Sequence, residues 1–154
     1  MTALSAFTVR RAGPEDLASL VALQEAAYRP NAAILGVEPL PLKADYAVLI
    51  AQYEVWLAER SRDLLGALIL EPHADHMLIW SVAVAPGAQG QGLGDSLLEL
   101  AEEKAEEAGL RELRLYTGEK LARNVEWYRR RGYAVDRLEA LGDRRLVHMK
   151  KTLG

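Results

Sequence analysis

Ser81-Val82-Ala83-Val84-Ala85-Pro86-Gly87-Ala88-Gln89-Gly90-Gln91-Gly92-Leu93-Gly94-Asp95 is the stretch on which the fold turns. An apolar run stops at a proline, glycines follow in close succession, and a long amphipathic helix begins. Glycine removes the Cβ that would hold a ligand off the backbone and permits positive φ, so successive N–H groups can converge on one point. The helix behind them adds unpaired N–H groups and the positive end of its dipole. Strand, glycine turn and helix N-terminus together make a site for a phosphorylated ligand. A dinucleotide fingerprint needs G-x-G-x-x-G, but the sixth position is Asp95 counted from Gly90 and Leu97 counted from Gly92. No G-K-[ST] closes the stretch, so it is not a P-loop either. What stands there is Q-x-x-G-x-G, as Gln89, Gly92 and Gly94.

Upstream of this stretch the pattern is a run of strands. Tyr53 to Glu59 carries Val55, Trp56 and Leu57, and Leu64 to Glu71 is almost wholly apolar, with a polar turn Arg60-Ser61-Arg62-Asp63 between them. Pro72-His73-Ala74-Asp75 makes the next turn, and His76 to Ala85 follows as a strand whose apolarity predicts burial on both faces. Three antiparallel strands in sequence are expected. Further back, Phe7 to Arg11 alternates as a short strand, and Gly13-Pro14-Glu15-Asp16 starts a helix with Leu17, Leu20, Val21, Gln24, Ala27 and Tyr28 on its inner side. Pro30 is expected to end that helix. With Gly36, Pro39 and Pro41 it predicts an irregular segment from Asn31 to Leu42, a length more often functional than connecting. A short helix is expected from Lys43 to about Gln52.

Downstream, Leu93, Leu97, Ala101, Ala105 and Ala108 repeat at helical spacing, and the glutamates among them face solvent. Gly109 is placed to cap that helix. Leu113 and Leu115 mark a strand ending near Tyr116-Thr117, a helix runs from about Leu121 to Gly132, and Tyr133-Ala134-Val135 and Arg145 to Lys150 complete the sheet.

The chain has 154 residues, half of them apolar and 27% charged, a composition for one globular domain spanning 1–154. A net charge of -3 gives no electrostatic case for nucleic acid. With no cysteine, disulfides, thiolate metal ligands and a cysteine acyl-enzyme are excluded. Met1 to Gly13 lacks a long apolar core and no stretch reaches the ~18 apolar residues of a membrane span, so the expectation is a cytoplasmic protein without a membrane partner.

On the helix after the fifth strand, Asn124 and Tyr128 share a face, and Asn124-Val125-Glu126-Trp127-Tyr128-Arg129-Arg130-Arg131-Gly132-Tyr133 reads N-x-x-x-Y-x-x-x-G-Y. Together with the glycine stretch, this resembles the two hallmarks of the GCN5-related N-acetyltransferase (GNAT) superfamily, over a region from about Phe7 to the end. The resemblance implies a mixed α/β fold, with a central, mostly antiparallel sheet of about seven strands flanked by helices. It also implies direct acyl transfer from acetyl-CoA to a primary amine of a small molecule, peptide or protein, without an acyl-enzyme and without a metal.

In that family the fourth and fifth strands splay apart. The pantetheine arm would fill the gap and pair with the backbone of Val82, Ala83 and Val84. The N–H groups of Gln89, Gly90, Gln91, Gly92, Leu93, Gly94 and Asp95 would hold the pyrophosphate, and Asn124 the pantetheine or the nearby backbone. The N–H near Val82 would polarise the thioester carbonyl, and Tyr128 would protonate the departing thiolate. The acceptor pocket is expected to involve Tyr28 to Tyr46; Trp56, Trp80 and Trp127 read as core or rim residues, with a place on the pocket wall as the alternative for Trp80.

The general base is the gap: Met77-Leu78-Ile79-Trp80-Ser81 holds no carboxylate. Glu71, Asp75, His76, Glu38, Asp45, Tyr46 and Tyr116 stay open as candidates, as do a water chain and the substrate's own protonation equilibrium. Tyr128 has, equally, the helical spacing of a core tyrosine. Arg129-Arg130-Arg131 fits either the 3′-phosphate of CoA or solvent. His73 and His76 flank a turn and lack a third histidine for a metal; His148 reads as an edge or packing residue. The acidic balance favours a cationic acceptor, and base rates alone suggest a homodimer. A non-catalytic acyl-CoA-binding module is the alternative reading.

Overall fold

A computed structural model describes residues 7–154; Met1 to Ala6, part of the stretch read above as leaderless, lie outside the described residues. The strands are β1 (Thr8–Arg11), β2 (Glu54–Arg60), β3 (Asp63–Pro72), β4 (Met77–Val84), β5 (Glu112–Gly118), β6 (Ala134–Leu141) and β7 (Arg144–Thr152). The helices are α1 (Leu17–Leu35), α2 (Tyr46–Gln52), α3 (Leu93–Glu107) and α4 (Ala122–Arg130). The seven strands form one sheet in the order β1-β2-β3-β4-β5-β7-β6, antiparallel except between β4 and β5.

The expected meander of β2, β3 and β4 is present. Its first hairpin turns on Ser61 and Arg62, both at positive φ (52° and 70°), the twist a two-residue connection demands. The two faces of the sheet carry separate cores. Leu20, Leu23, Tyr46 and Leu49 of α1 and α2 pack on Val55, Leu57, Ala67 and Ile69. On the other face Leu93, Leu97, Leu98, Ala101 and Ala105 of α3 pack on Leu68, Leu70, Met77, Ile79, Leu113 and Leu115, with Val125, Trp127 and Tyr128 of α4 against the same cluster. Gly109, at φ 76°, closes α3 as expected: its N–H bonds the Glu106 carbonyl and that of Leu110 bonds Ala105. Asp16 accepts a fork from Arg10 (2.9 and 2.7 Å) and the Gly13 N–H (2.8 Å), tying β1 to the start of α1.

Several expectations need correction. Pro30 does not end α1; the helix continues to Leu35 and stops at Gly36, φ 77°. A proline within a helix removes one N–H and costs about 3 kcal/mol. Tertiary packing offsets it here, because Leu35 is buried and meets β5 at Gly118, where a Cβ would lie 2.8 Å from Leu35 Cδ2. The segment read as irregular is therefore helical to Leu35 and has a 3₁₀ turn at Leu40–Lys43. The following helix starts at Tyr46, with the Asp45 carboxylate accepting from the N–H groups of Ala47 and Val48. Val21 is exposed (44%), since α1 lies on the sheet with only one narrow stripe, and Ala108 is exposed at the fraying end of α3. β6 and β7 are longer than expected because an edge hairpin tolerates the charges that made them look like loop.

Candidate functional site

β4 and β5 pair only at Met77–Leu113 and Leu78–Arg114, and beyond Leu78 they separate. Peptide groups in an antiparallel strand alternate in direction. Ala85 N–H bonds the Leu65 carbonyl of β3 at 2.8 Å, so Ala83 and Ser81 also face β3, and the peptide groups of Val82 and Val84 face the opening. Their carbonyls meet only side chains, the Tyr28 hydroxyl at 3.3 Å and Gln89 Nε2 at 3.3 Å respectively. β4 alternates buried residues (Met77, Ile79, Ser81, Ala83) with half-buried ones (Leu78, Trp80, Val82, Val84). Burial on both faces thus fails where the sheet opens.

A bulge sets which side chains look into the gap. Ile69 pairs with Ser81 and Leu70 with Ile79, leaving Trp80 as the extra residue. Trp80 and Ser81 consequently both turn to the α1 face: Trp80 packs edge-on to Tyr46 (6.1 Å), and Ser81 bonds α1. There Gln24 Nε2 donates to Ser81 Oγ (3.1 Å) and to the Tyr46 hydroxyl (2.9 Å), and the Tyr28 hydroxyl lies 2.8 Å from Ser81 Oγ. Gln24 and Ser81 were not singled out as site residues from the sequence. The available signal was a serine in an otherwise apolar strand and a glutamine on the buried stripe of a helix.

The opening leads into a cavity of about 840 Å³. Val82, Ala83, Val84, Gln89, Gly90, Gly92, Leu93, Gly94, Asp95, Asn124 and Tyr128 all line it. Gln91 is the exception; its side chain turns outward to accept from Arg60 at 3.4 Å. Gly90 and Gly92 both hold φ 81°, where a Cβ is penalised, and Gly94 lets α4 approach: a Cβ there would sit 3.1 Å from Trp127 Cζ2. The first backbone bond of α3 runs from Ser96 N–H to Gly92 O (3.1 Å), so the N–H groups of Leu93, Gly94 and Asp95 have no backbone acceptor among the described residues. The Asp95 carboxylate is engaged by Trp127 Nε1 (2.7 Å) and by Arg131, which leaves only its N–H for a ligand. Arg129 and Arg130 are exposed and line nothing, while Lys120 and Arg123 do line the cavity.

The Tyr128 hydroxyl has no hydrogen-bond partner among the described residues. Burial, and then the neighbouring phenols of Tyr28 and Tyr133, push its pKa well above the usual tyrosine value, so it stays protonated at neutral pH. The remaining base candidates are scattered. Glu71 bonds His73 (2.7 Å), Asp75 bonds His76 (2.7 Å), Glu38 lies 4.0 Å from Arg29, and the Tyr46 hydroxyl donates to Pro41 O (2.6 Å). Tyr116 alone of them lines the cavity, and burial with Glu71 and Glu139 nearby raises its pKa. His73 and His76 stack at 4.5 Å, and no group of three or more metal-binding side chains occurs among the described residues. His148 packs against Tyr116 and bonds Glu139 at 2.7 Å. No helix of the described residues is long and apolar enough to cross a membrane.

A model of the acetyltransferase (GNAT) family matches residues 18–133, taking in nearly all of α1, the glycine turn, Tyr128 and all of the cavity lining but Arg144 and Leu146. The chain belongs to this family. This GNAT chain is 36% identical over 89 residues to a mycothiol acetyltransferase of Cellulomonas flavigena, a match covering 51% of the chain but only 26% of that relative. Among solved structures it resembles the PaiA N-acetyltransferase of Thermoplasma acidophilum in complex with coenzyme A (TM-score 0.80, 19% identity, 95% of this chain and 98% of that one). A GCN5-related N-acetyltransferase of Rhodopseudomonas palustris superposes with TM-score 0.79 at 22% identity, covering 99% of both chains. A GNAT acetyltransferase of Elizabethkingia anophelis with acetyl-CoA bound gives 0.71 at 18% identity, covering 97% and 99%. At these identities the likeness is one of fold, and it includes the seven-stranded sheet between helices.

Proposed function

We propose that residues 1–154 form a single GNAT domain that transfers an acetyl group from acetyl-CoA to a primary amine. One observation carries the reading: the unpaired edge of β4 at Val82 and Val84 opens directly onto the free N–H groups of Leu93, Gly94 and Asp95. An extended amide chain ending in a pyrophosphate has that sequence of needs, strand-like pairing first and an anion site after it. The relatives that carry coenzyme A and acetyl-CoA support the same ligand.

The bound thioester supplies an acyl carbon open to attack by an amine. The chain's own groups do the rest. Val82 N–H, aimed into the gap, stabilises the oxygen on which charge develops. As the C–N bond forms and the C–S bond breaks, the leaving sulfur takes a proton from the Tyr128 hydroxyl, the nitrogen releases its surplus proton to water, and water returns one to the Tyr128 oxygen. Asn124 lines the cavity one helical turn before Tyr128 and holds the arm. No carboxylate among the described residues lines the acceptor side, so the amine loses its first proton to water before it binds.

The test is thiol release from acetyl-CoA with an amine library, comparing the protein with Tyr128→Phe. The hydroxyl has no hydrogen-bond partner among the described residues, so the variant keeps its fold, while loss of a general acid lowers kcat by about 10²- to 10⁴-fold. Turnover undiminished in Tyr128→Phe contradicts the assigned role. Acetyl-CoA binding without release of thiol to any amine favours the binding-module alternative.

A further inference from the structure

The acidic net charge of the chain pointed to a cationic acceptor, but the cavity wall has the opposite sign. Among the described residues its cations are Lys120, Arg123 and Arg144, and its one acid, Asp95, is engaged by Trp127 and Arg131. Arg123 lies in the first turn of α4, and Lys120 follows β5 opposite Arg144, in the register set by Gly118–Leu146 and by the Glu119 N–H to Arg145 O bond. Arg144 itself lies at the start of β7. On β7, Val147 and Met149 enter the core under α3, so Leu146, His148 and Arg144 project from the opposite face, the one that α1 covers. That is the acceptor side. Arg144 is half-buried there, lines the cavity and has no ion-pair partner among the described residues; its neighbour Arg145 is paired with Glu119. An unpaired cation withdrawn from water is unfavourable and calls for an anion.

The facing wall is apolar. The turns of α1 beyond Pro30 present Ile34 and Leu35 to the cavity, and Leu40 continues the surface, with Ile34 still 55% exposed and Leu40 36% exposed. We propose that the acceptor is an amine carrying a carboxylate and an apolar body, the carboxylate meeting Arg144 and the body meeting Ile34, Leu35 and Leu40. Polyamines and lysine-rich segments are disfavoured by the same wall. The inference rests on the acyltransferase reading above and adds the class of acceptor to it.

The experiment uses the full chain with saturating acetyl-CoA and matched acceptors. Phenylalanine, phenylalaninamide and phenethylamine form one set; leucine, leucinamide and isoamylamine form a second; spermidine is the cationic comparison. The carboxylates are expected to exceed their amides and simple amines at least tenfold in kcat/KM, with spermidine lowest. Arg144→Gln collapses the carboxylate-to-amide ratio through the KM of the carboxylate, whereas Arg144→Lys retains part of it. Thermal midpoints identify any variant that fails to fold. Carboxylates that are not acetylated, or no better than the neutral and cationic amines, overturn the proposal. So does an Arg144→Gln effect confined to the KM of acetyl-CoA, which would place the residue at the phosphates. Failure of the parent reading looks different, because acetyl-CoA would then neither raise the thermal midpoint nor lose its thiol to any amine.

Discussion

Gly94→Ala isolates the contact that sets the distance between the phosphate turn and the helix carrying Tyr128. A Cβ at Gly94 would lie 3.1 Å from Trp127 Cζ2 and 3.4 Å from Cη2, so the ring has to give by a few tenths of an ångström. It is not free to do so, because its Nε1 is held by Asp95 at 2.7 Å and Arg131 holds the same carboxylate. Overpacking of this kind costs about 1–3 kcal/mol. Alanine returns up to ~1 kcal/mol of helix propensity, less in a first turn. The expected net loss is about 1 kcal/mol, accompanied by weaker acetyl-CoA binding as α4 is pushed outward. With Trp127→Leu the obstruction is gone and only the propensity gain remains, so Gly94→Ala becomes neutral or stabilising in that background. Urea denaturation of the four proteins in this cycle should give a coupling of about 1–2 kcal/mol. Equal costs in both backgrounds would refute the steric argument.

Two further expectations concern pH. The fork from Arg10, then the Gly13 N–H, holds the Asp16 carboxyl below the usual carboxylate range, so its contribution is present above pH ~4 and lost as pH falls through the folded pKa. With Arg10 43% exposed, Asp16→Asn should cost about 1–2 kcal/mol at pH 7, and the difference should vanish in acid; a gap independent of pH would contradict this. In the transfer reaction, log kcat/KM for an alkyl amine should rise with unit slope towards the amine's own pKa of about 10.4, because no carboxylate on the acceptor side takes its proton. The raised pKa of Tyr128 keeps an alkaline fall out of that range. A plateau beginning near pH 7 would reveal a base on the protein.

The parts of the fold legible in the sequence are those whose signal is local. The meander to β4 is written in alternating runs and polar turns, and the junction from β4 to α3 in glycines, of which Gly90 and Gly92 hold positive φ. Tyr128 stood out through the resemblance of Asn124 to Tyr133 to a family motif, since its helical spacing alone fits a core tyrosine equally well. What escaped is tertiary. α1 passes through Pro30 only because Leu35 is met by Gly118, far along the chain. The bulge at Trp80 exists through mismatch with β3 and leaves no mark on β4 itself. Likewise Arg144 reads as one more charge in a hairpin until the register with β5 and the inward Val147 and Met149 put it on the opposite face of the sheet.

The central claim is that the gap between β4 and β5 holds acetyl-CoA. Thermal unfolding with acetyl-CoA, CoA, ATP and NAD tests it without knowledge of the acceptor. A ligand at a hundred times its Kd stabilises the native state by about 2.7 kcal/mol. The account predicts a rise in midpoint with acetyl-CoA and CoA that ATP and NAD do not reproduce. An unchanged midpoint at saturating acetyl-CoA, in a well-folded sample, would contradict it.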